Sequence, residues 1–249
     1  MFLIGLIYSK SSPSVLSSIQ ILLFSFPYAI FLFGINDIND YESDKLNPRK
    51  KSYVITREVK RLIFLVSILT SVLLILTSVL TLNIQNIVLI LLIILISYLY
   101  SSGPFRFKEL PLLDSFSNGL LFFLVFVAGF SYGGSVADIP VKIYFVAFCV
   151  MGIHAFGTVL DYEVDRNVGH NTFAVYFGKR IPLFFCLIAF LSSFYFAGIG
   201  RSFINYYFLY CATLTLAALT RPVQKITLSC FKLIFAGFIV TSIVFLVTY

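Results

Sequence analysis

Two short acidic stretches carry the side chains with the clearest chemical potential. The first reads Asn36-Asp37-Ile38-Asn39-Asp40-Tyr41-Glu42-Ser43-Asp44 and runs into Lys45, Asn47, Pro48, Arg49, Lys50 and Lys51. On a helix continued through it, Asn36, Asp37, Asp40 and Asp44 stand at i, i+1, i+4 and i+8, on one face. The second reads Asp161-Tyr162-Glu163-Val164-Asp165 and is followed by Arg166, Gly169 and Thr172, with Asp161 and Asp165 again one turn apart. Stacked carboxylates repel one another, so such clusters persist only where water or a cation reaches them. Their oxygens suit Mg²⁺, which takes a few carboxylates and completes its shell with phosphate and water. The expected ligand is therefore a magnesium diphosphate, against the alternative of ordinary solvated helix ends.

A diphosphate also requires cationic donors. The segment Tyr100-Ser101-Ser102-Gly103-Pro104-Phe105-Arg106-Phe107-Lys108 offers Arg106, whose planar fork matches phosphate oxygens, and Lys108, a point charge. The competing reading of both is that they fix topology at a lipid surface. Asn47-Pro48-Arg49-Lys50 reads equally well as a helix stop with flanking positive charge.

The elements that position these residues follow from composition. Of 249 residues, 59% are hydrophobic and only 12% charged, about half the charged share of an ordinary soluble domain. Apolar runs cover 14–35, 62–82, 87–100, 115–132, 143–160, 181–199, 204–220 and 233–247. A bilayer core of about 30 Å takes roughly 20 such residues per helix. Strand-like alternation is absent, which excludes a membrane barrel. The expectation is an all-α polytopic bundle of eight full spans, in a single integral-membrane domain over 1–249. The first ten residues are too few to cross and read as the last two turns of a ninth helix, a stub over 1–8, or as a short re-entrant piece. Gly129, Gly133 and Gly134 suit close helix contact or a turn.

Loops 36–61, 101–114, 161–180 and 221–232 hold 15 of the 18 Lys and Arg residues, leaving Lys10, Lys142 and Arg201 on the other side. The positive-inside rule turns the first set toward the cytoplasm. Ten of the 11 acids share that side, Asp138 being the exception. A charge at the bilayer centre costs about 2.5–3.5 kcal/mol on insertion scales and less at the interface. The topology rule hardly weighs acids, so their one-sidedness points to a task. Cys149, Cys186, Cys211 and Cys230 lie in apolar stretches without a CxxC pair, and read as small buried hydrophobes rather than disulfides or a zinc site.

These motifs resemble the UbiA superfamily of intramembrane prenyltransferases. Its N-D-x-x-D-x-x-x-D signature is matched by Asn36, Asp37, Asp40 and Asp44, and its D-x-x-x-D with G-x-x-T by Asp161, Asp165, Gly169 and Thr172. Its Y-S-x-P-x-x-x-K segment is similar to the stretch from Tyr100 to Asp114. The resemblance implies a UbiA-like bundle, usually of nine spans, around a cavity that opens to the cytoplasm and to lipid. It implies Mg²⁺ as cofactor, with Asp37, Asp40 and Asp44 on one ion and Asp161 and Asp165 on a second. Asn36 would support the first site, and Tyr100, Arg106, Lys108 and Lys45 would help bind the substrate. The implied partners are a prenyl diphosphate donor, a lipophilic acceptor and the bilayer, with no nucleic acid, and the implied location is the plasma membrane of a prokaryote. Phe31 to Asp37, Asp44, Asn47 to Lys50 and His154 to Phe156 are most similar to the lycopene elongase and carotenoid branch. Either the chain starts upstream of Met1 or this is a shortened variant.

The implied reaction transfers a prenyl group to a quinone precursor, carotenoid or other isoprenoid lipid. Aromatic and apolar walls would keep the allylic cation from water. A superfamily cyclase acting on the diphosphate alone is the principal alternative. A cation-coupled transporter predicts mid-membrane acids and an internal repeat, and neither is present. A CDP-alcohol phosphotransferase needs a D-G-x-x-A-R element, which is absent. His154, two turns before Asp161, either lines the cavity or is an interhelical hydrogen-bonding histidine. His170 is expected to be solvated.

Overall fold

The structure, a computed structural model, describes residues 1–45, 55–198 and 203–248. Asn47, Pro48, Arg49, Lys50, Lys51 and Arg201, used in the charge and helix-stop arguments, lie outside them. The described residues are helical with short 3₁₀ turns, a π turn and no strand. Seven helices among them are long and apolar enough to cross a membrane, and an eighth apolar helix, Ile204–Thr220, is shorter. Each of the eight apolar runs read from the sequence coincides with one of these helices. The chain divides into two compact units.

The first unit comprises Met1–Phe107 and Leu120–Ile139. It contains α1 (Phe2–Tyr8), α2 (Val15–Leu23), α3 (Phe26–Ala29), a π turn (Ile30–Gly34), α4 (Ile35–Asn39), α5 (Tyr41–Asp44), α6 (Arg57–Leu80), α7 (Ile84–Ser101) and the second half of α8 (Leu113–Phe130). The span Val15–Asn39 is thus segmented. Pro27 opens α3, and a proline cannot donate the hydrogen bond that would continue α2. The π turn then inserts about one extra residue per turn just before Asn36. Gly34 permits the close approach of α6, since a Cβ there would press on Ile63.

Helix starts obey caps rather than hydropathy. Thr56 accepts a hydrogen bond from the Val59 amide, so α6 begins at Arg57, ahead of its apolar run. Asn83 likewise accepts from Gln85 and Asn86, so α7 spans 18 residues where the apolar count gave fewer. At the end of α7 away from Asn36, Gln20, Ser78 and Asn86 form a fully buried set. Asn86 donates to the Ala128 carbonyl at 3.0 Å and accepts from Ser78 at 2.8 Å and Gln20 at 3.1 Å, tying four helices together.

The second unit comprises Lys108–Gly119 and Pro140–Tyr249. It holds the first turns of α8, then α9 (Phe145–Val168), α10 (Phe173–Phe177), α11 (Arg180–Ala197), α12 (Phe203–Thr220) and α13 (Gln224–Thr248). Its core joins Phe156, Leu183, Phe190, Phe208 and Ile234, with Cys186, Cys211 and Cys230 as small buried fillers. The four cysteines are free, as expected. The last helix starts at Gln224, well before 233, because Lys225 and Lys232 are good helix formers that hydropathy discounts.

The predicted stub is a two-turn helix seated on α8. Phe2, Gly5 and Leu6 are buried, and a Cβ on Gly129 would collide with the Phe2 carbonyl oxygen, as one on Gly5 would with that of Phe126. The two backbones therefore touch through glycine on both sides, the small-residue packing that lipid-embedded helices favour. Gly129→Val is expected to lower stability by about 1–3 kcal/mol, read as an earlier thermal unfolding transition in lipid nanodiscs. An unchanged transition would show that α1 does not seat there.

Candidate active site

In the first unit, the acidic motif sits where a helix breaks. The i to i−4 bonds run through the motif, from the Asp40 amide to Asn36 (2.9 Å) and from the Asp44 amide to Asp40 (2.8 Å). Asp40 itself leaves the helical region at φ −92°, ψ 0° and separates α4 from α5. The single continuous helix on which the one-face argument relied is thus interrupted at its central acid. Asp37 and Asp44 are half-buried, and Asp40 is buried.

Serines at the end of α7 hold the motif in place. Tyr28 and Ser97 hydroxyls lie 2.7 Å apart, the Ser101 hydroxyl donates to Asn36 Oδ1 at 3.4 Å, and Asn39 Nδ2 donates to Ser102 Oγ at 2.7 Å. Ser97 and Ser101 are one turn apart, so α7 presents hydroxyls in succession to α3 and α4. In sequence Ser101 and Ser102 stand out only as part of the Tyr100 segment. Tyr100, at the same helix end, is half-buried.

Arg106 comes to the same place. Its Nη2 donates to Asp40 Oδ1 at 2.7 Å, with only 7% of the Asp40 side chain exposed. The loop reaches this position through Gly103 at φ 78° and Arg106 at φ 41°. Left-handed backbone at an arginine costs roughly 1–3 kcal/mol. The residue expected to meet phosphate thus meets a motif aspartate. Lys45 turns to Glu42 at 3.0 Å and lies over the Tyr41 ring at 4.1 Å. Its hydrogen bond to Glu42 raises its pKa, keeping the ammonium charged.

In the second unit, α9 runs on to Val168, two turns beyond the apolar run, so Asp161 and Asp165 share one face of an unbroken helix. Gly169, at φ 79°, ends it in the left-handed conformation that glycine adopts most readily. The chain then folds back, and Thr172 Oγ1 donates to Asp165 Oδ2 at 3.2 Å. His170 Nδ1 lies 4.0 Å from Asp165 Oδ1 with 17% of its side chain exposed, so it is packed beside the aspartate rather than solvated. Glu163, the third acid of this stretch, points away to Lys179 at 2.7 Å. His154 Nδ1 pairs with the Ser115 hydroxyl at 3.1 Å, between α9 and α8. Of its two readings, the interhelical one is observed. Lys108 is buried, in a 3₁₀ turn, Phe107–Glu109.

Sequence reasoning passed over Asp114. It is fully buried and accepts hydrogen bonds from the Ser115 amide and, at 3.0 Å, from the Phe173 amide. The available signal was a lone acid at the head of a membrane-length apolar run.

The donor set in both units is oxygen-rich, as a hard cation requires. Among the described residues no group of three or more His, Cys, Asp or Glu side chains is gathered for a metal. Mg²⁺ uses one or two carboxylates and leaves its other positions to water and substrate phosphates, and the aspartate oxygens present are donors of that kind. Asp40 already carries a cationic partner in Arg106, which shows that its carboxylate is compensated by positive charge. The residues fit the ion.

Fold and site together define a polytopic helical membrane protein with acids grouped at two helix ends. Residues 1–249 match the sequence model of the UbiA prenyltransferase family, and the chain belongs to that family. A lycopene elongase/hydratase of Haloarcula japonica is 32% identical over 197 residues, 76% of this chain and 65% of that protein, so the chain spans less than two thirds of this relative. A solved UbiA homologue from Archaeoglobus fulgidus, bound to GPP and Mg²⁺, matches with a TM-score of 0.61 at 25% identity, covering 97% of this chain and 95% of that one. The apo structure of a UbiA homologue from Aeropyrum pernix shares the fold at a TM-score of 0.67 and 19% identity, over 95% and 93% of the two chains.

The Arg106–Asp40 pair can be tested by stability alone. Arg106→Gln removes the guanidinium from a buried carboxylate and is expected to cost about 1–3 kcal/mol. Adding Asp40→Asn should recover much of that loss, because the charge that needed compensation is then gone. Additive losses in thermal unfolding would show that the two side chains do not interact.

Proposed function

We propose that the protein transfers a prenyl group from an isoprenoid diphosphate to a lipophilic acceptor in the membrane, with Mg²⁺ as cofactor and the acidic helix ends toward the cytoplasm. The observation that carries this reading is the Arg106–Asp40 contact at 2.7 Å. A carboxylate able to take a metal and a guanidinium able to take phosphate oxygens are assembled side by side, as recognition of a metal diphosphate requires. The family match over the whole chain supports it, as does the GPP and Mg²⁺ bound by the Archaeoglobus homologue.

In this reading Asp37, Asp40 and Asp44 would hold one ion and Asp161 and Asp165 a second, with Asn36 supporting the first. Bound Mg²⁺ supplies charge neutralisation for the departing diphosphate. Arg106 would pass from Asp40 to a phosphate oxygen of the donor. Lys108 adds a second positive charge to the leaving group, and Lys45 and Tyr100 help place the donor. These groups favour heterolysis of the allylic carbon–oxygen bond, whose electron pair leaves with the diphosphate. An acceptor π bond or hydroxyl then supplies the electrons for the new bond, and the adduct loses a proton to the released diphosphate or to water. Apolar surroundings exclude water from the allylic cation until that attack. The Haloarcula relative's name supports a carotenoid acceptor among the lipophilic candidates.

The test is to incubate the full chain in lipid with Mg²⁺ and labelled prenyl diphosphates of several lengths, with and without carotenoid, quinone-precursor and other isoprenoid acceptors. Diphosphate release with a prenylated acceptor is the expected outcome. A cyclic product from the donor alone would instead establish the cyclase alternative. Asp37→Ala and Asp161→Ala should each lower release by at least about a hundredfold, the scale on which one lost electrostatic group acts in such sites. Full activity in either variant would overturn the assignment.

A further inference from the structure

We propose that Asp114 is a positioning residue for the second acidic cluster: it caps α10 from the head of α8 and so holds Thr172 against Asp165. The inference rests on the prenyl-transfer reading for its purpose and on the geometry of the second unit for its mechanism.

Thr172 is the N-cap residue of α10, and a threonine there ordinarily accepts a hydrogen bond from a backbone amide of the first turn. Its side chain makes no such bond. The hydroxyl donates to Asp165 Oδ2 at 3.2 Å. The Phe173 amide, at the first helical position, is beyond the reach of an N-cap side chain and has to be satisfied from elsewhere. Phe173 is 3% exposed and Ala174 0% exposed, so water is a poor substitute. Asp114 Oδ2 accepts from the Phe173 amide at 3.0 Å, across 59 positions of sequence.

Asp114 is itself held firmly. Its other carboxylate oxygen accepts from the Ser115 amide. Ser117 Oγ donates to the Leu113 carbonyl at 2.7 Å, and Asn118 Nδ2 to the Asp114 carbonyl at 2.8 Å, fixing the first turn of α8. The Ser115 hydroxyl reaches His154 at 3.1 Å on α9, the helix that also carries Asp161 and Asp165. The chain Asp114, Phe173 amide, Thr172 hydroxyl, Asp165 therefore joins the head of α8 to a motif carboxylate through fixed backbone. Partners that orient a metal ligand in this way commonly alter metal affinity or activity by about 10–100-fold when removed.

The experiment uses the full chain in nanodiscs as wild type, Asp114→Ala, Asp114→Asn and Thr172→Val. Three readouts are taken: amide exchange over 172–177, binding of Mn²⁺ without donor by electron paramagnetic resonance, and the Mg²⁺ concentration for half-maximal diphosphate release. Asp114→Ala is expected to speed exchange at Phe173, to weaken Mn²⁺ binding, and to raise the Mg²⁺ requirement roughly tenfold with a smaller change in rate at saturating Mg²⁺. Asp114→Asn, which keeps one acceptor oxygen, should fall between. Thr172→Val should reproduce the metal shift and add little in the Asp114→Ala background, as members of one chain do. An unchanged Mn²⁺ affinity in Asp114→Ala overturns the proposal, as does a lowered rate at an unchanged Mg²⁺ requirement. Should Asp114→Ala fail to fold, an unchanged Mn²⁺ affinity in Thr172→Val overturns it equally. A wild type that releases no diphosphate overturns the prenyl-transfer reading, while the exchange and Mn²⁺ measurements still decide the role of Asp114.

Discussion

A carboxylate set against apolar surroundings must have a donor or a cation on it, because an uncompensated buried charge costs more than any single packing gain returns. The structure answers this requirement in different ways. Asp40 faces a guanidinium, Asp165 a hydroxyl and an imidazole, and Asp114 two backbone amides. The kind of partner sorts the acids by what they can do. A long flexible side chain such as Arg106 can leave and be replaced by a metal at modest cost, and a threonine hydroxyl can turn. Backbone amides locked in the first turns of α8 and α10 cannot. In the proposed reading Asp40 and Asp165 are the carboxylates free to exchange partners, while Asp114, held by backbone amides, stays fixed.

The apolar helices serve that requirement by fixing the polar ends. Lipid gives no hydrophobic reason for one membrane helix to prefer another, so association rests on close packing and hydrogen bonds. In the first unit the glycine contacts of α1 and α8 supply the first, and the set around Asn86 supplies the second. The second unit packs aromatic rings and small cysteines. Both leave many large hydrophobics exposed, the surface a bilayer covers.

Much of this was legible in the sequence, and the parts that were not have physical reasons. The spans and the two acidic motifs could be read because hydropathy and helical spacing are local. Asp161, Asp165 and Gly169 behave as the spacing says, since α9 is unbroken and glycine closes it. Contacts across long separations leave no local trace. Arg106 meets Asp40 from 66 positions away, and Asp114 meets Phe173 from 59. An acid in the first turn of a helix also looks like one serving the helix dipole, which hides Asp114. His170 sits beside Asp165 because the chain reverses at Gly169, a turn whose direction no residue count specifies.

The first motif shows most clearly where pattern reading fails. An α-helix advances 100° per residue, so the face on which Asn36 falls can be inferred from the apolar residues before it only while the helix stays regular. Between Leu23 and Asn36 it does not: Pro27 interrupts the ladder, and the π turn Ile30–Gly34 changes the advance per residue. The orientation of the acids is consequently set from outside the helix that carries them. Ser101 and Ser102 grip Asn36 and Asn39, and Arg106 grips Asp40, all from α7 and the turn that follows it. A segmented helix has little stiffness of its own, so its neighbours decide where its carboxylates point. The third sequence motif, from Tyr100 onward, is thus a holder of the first motif.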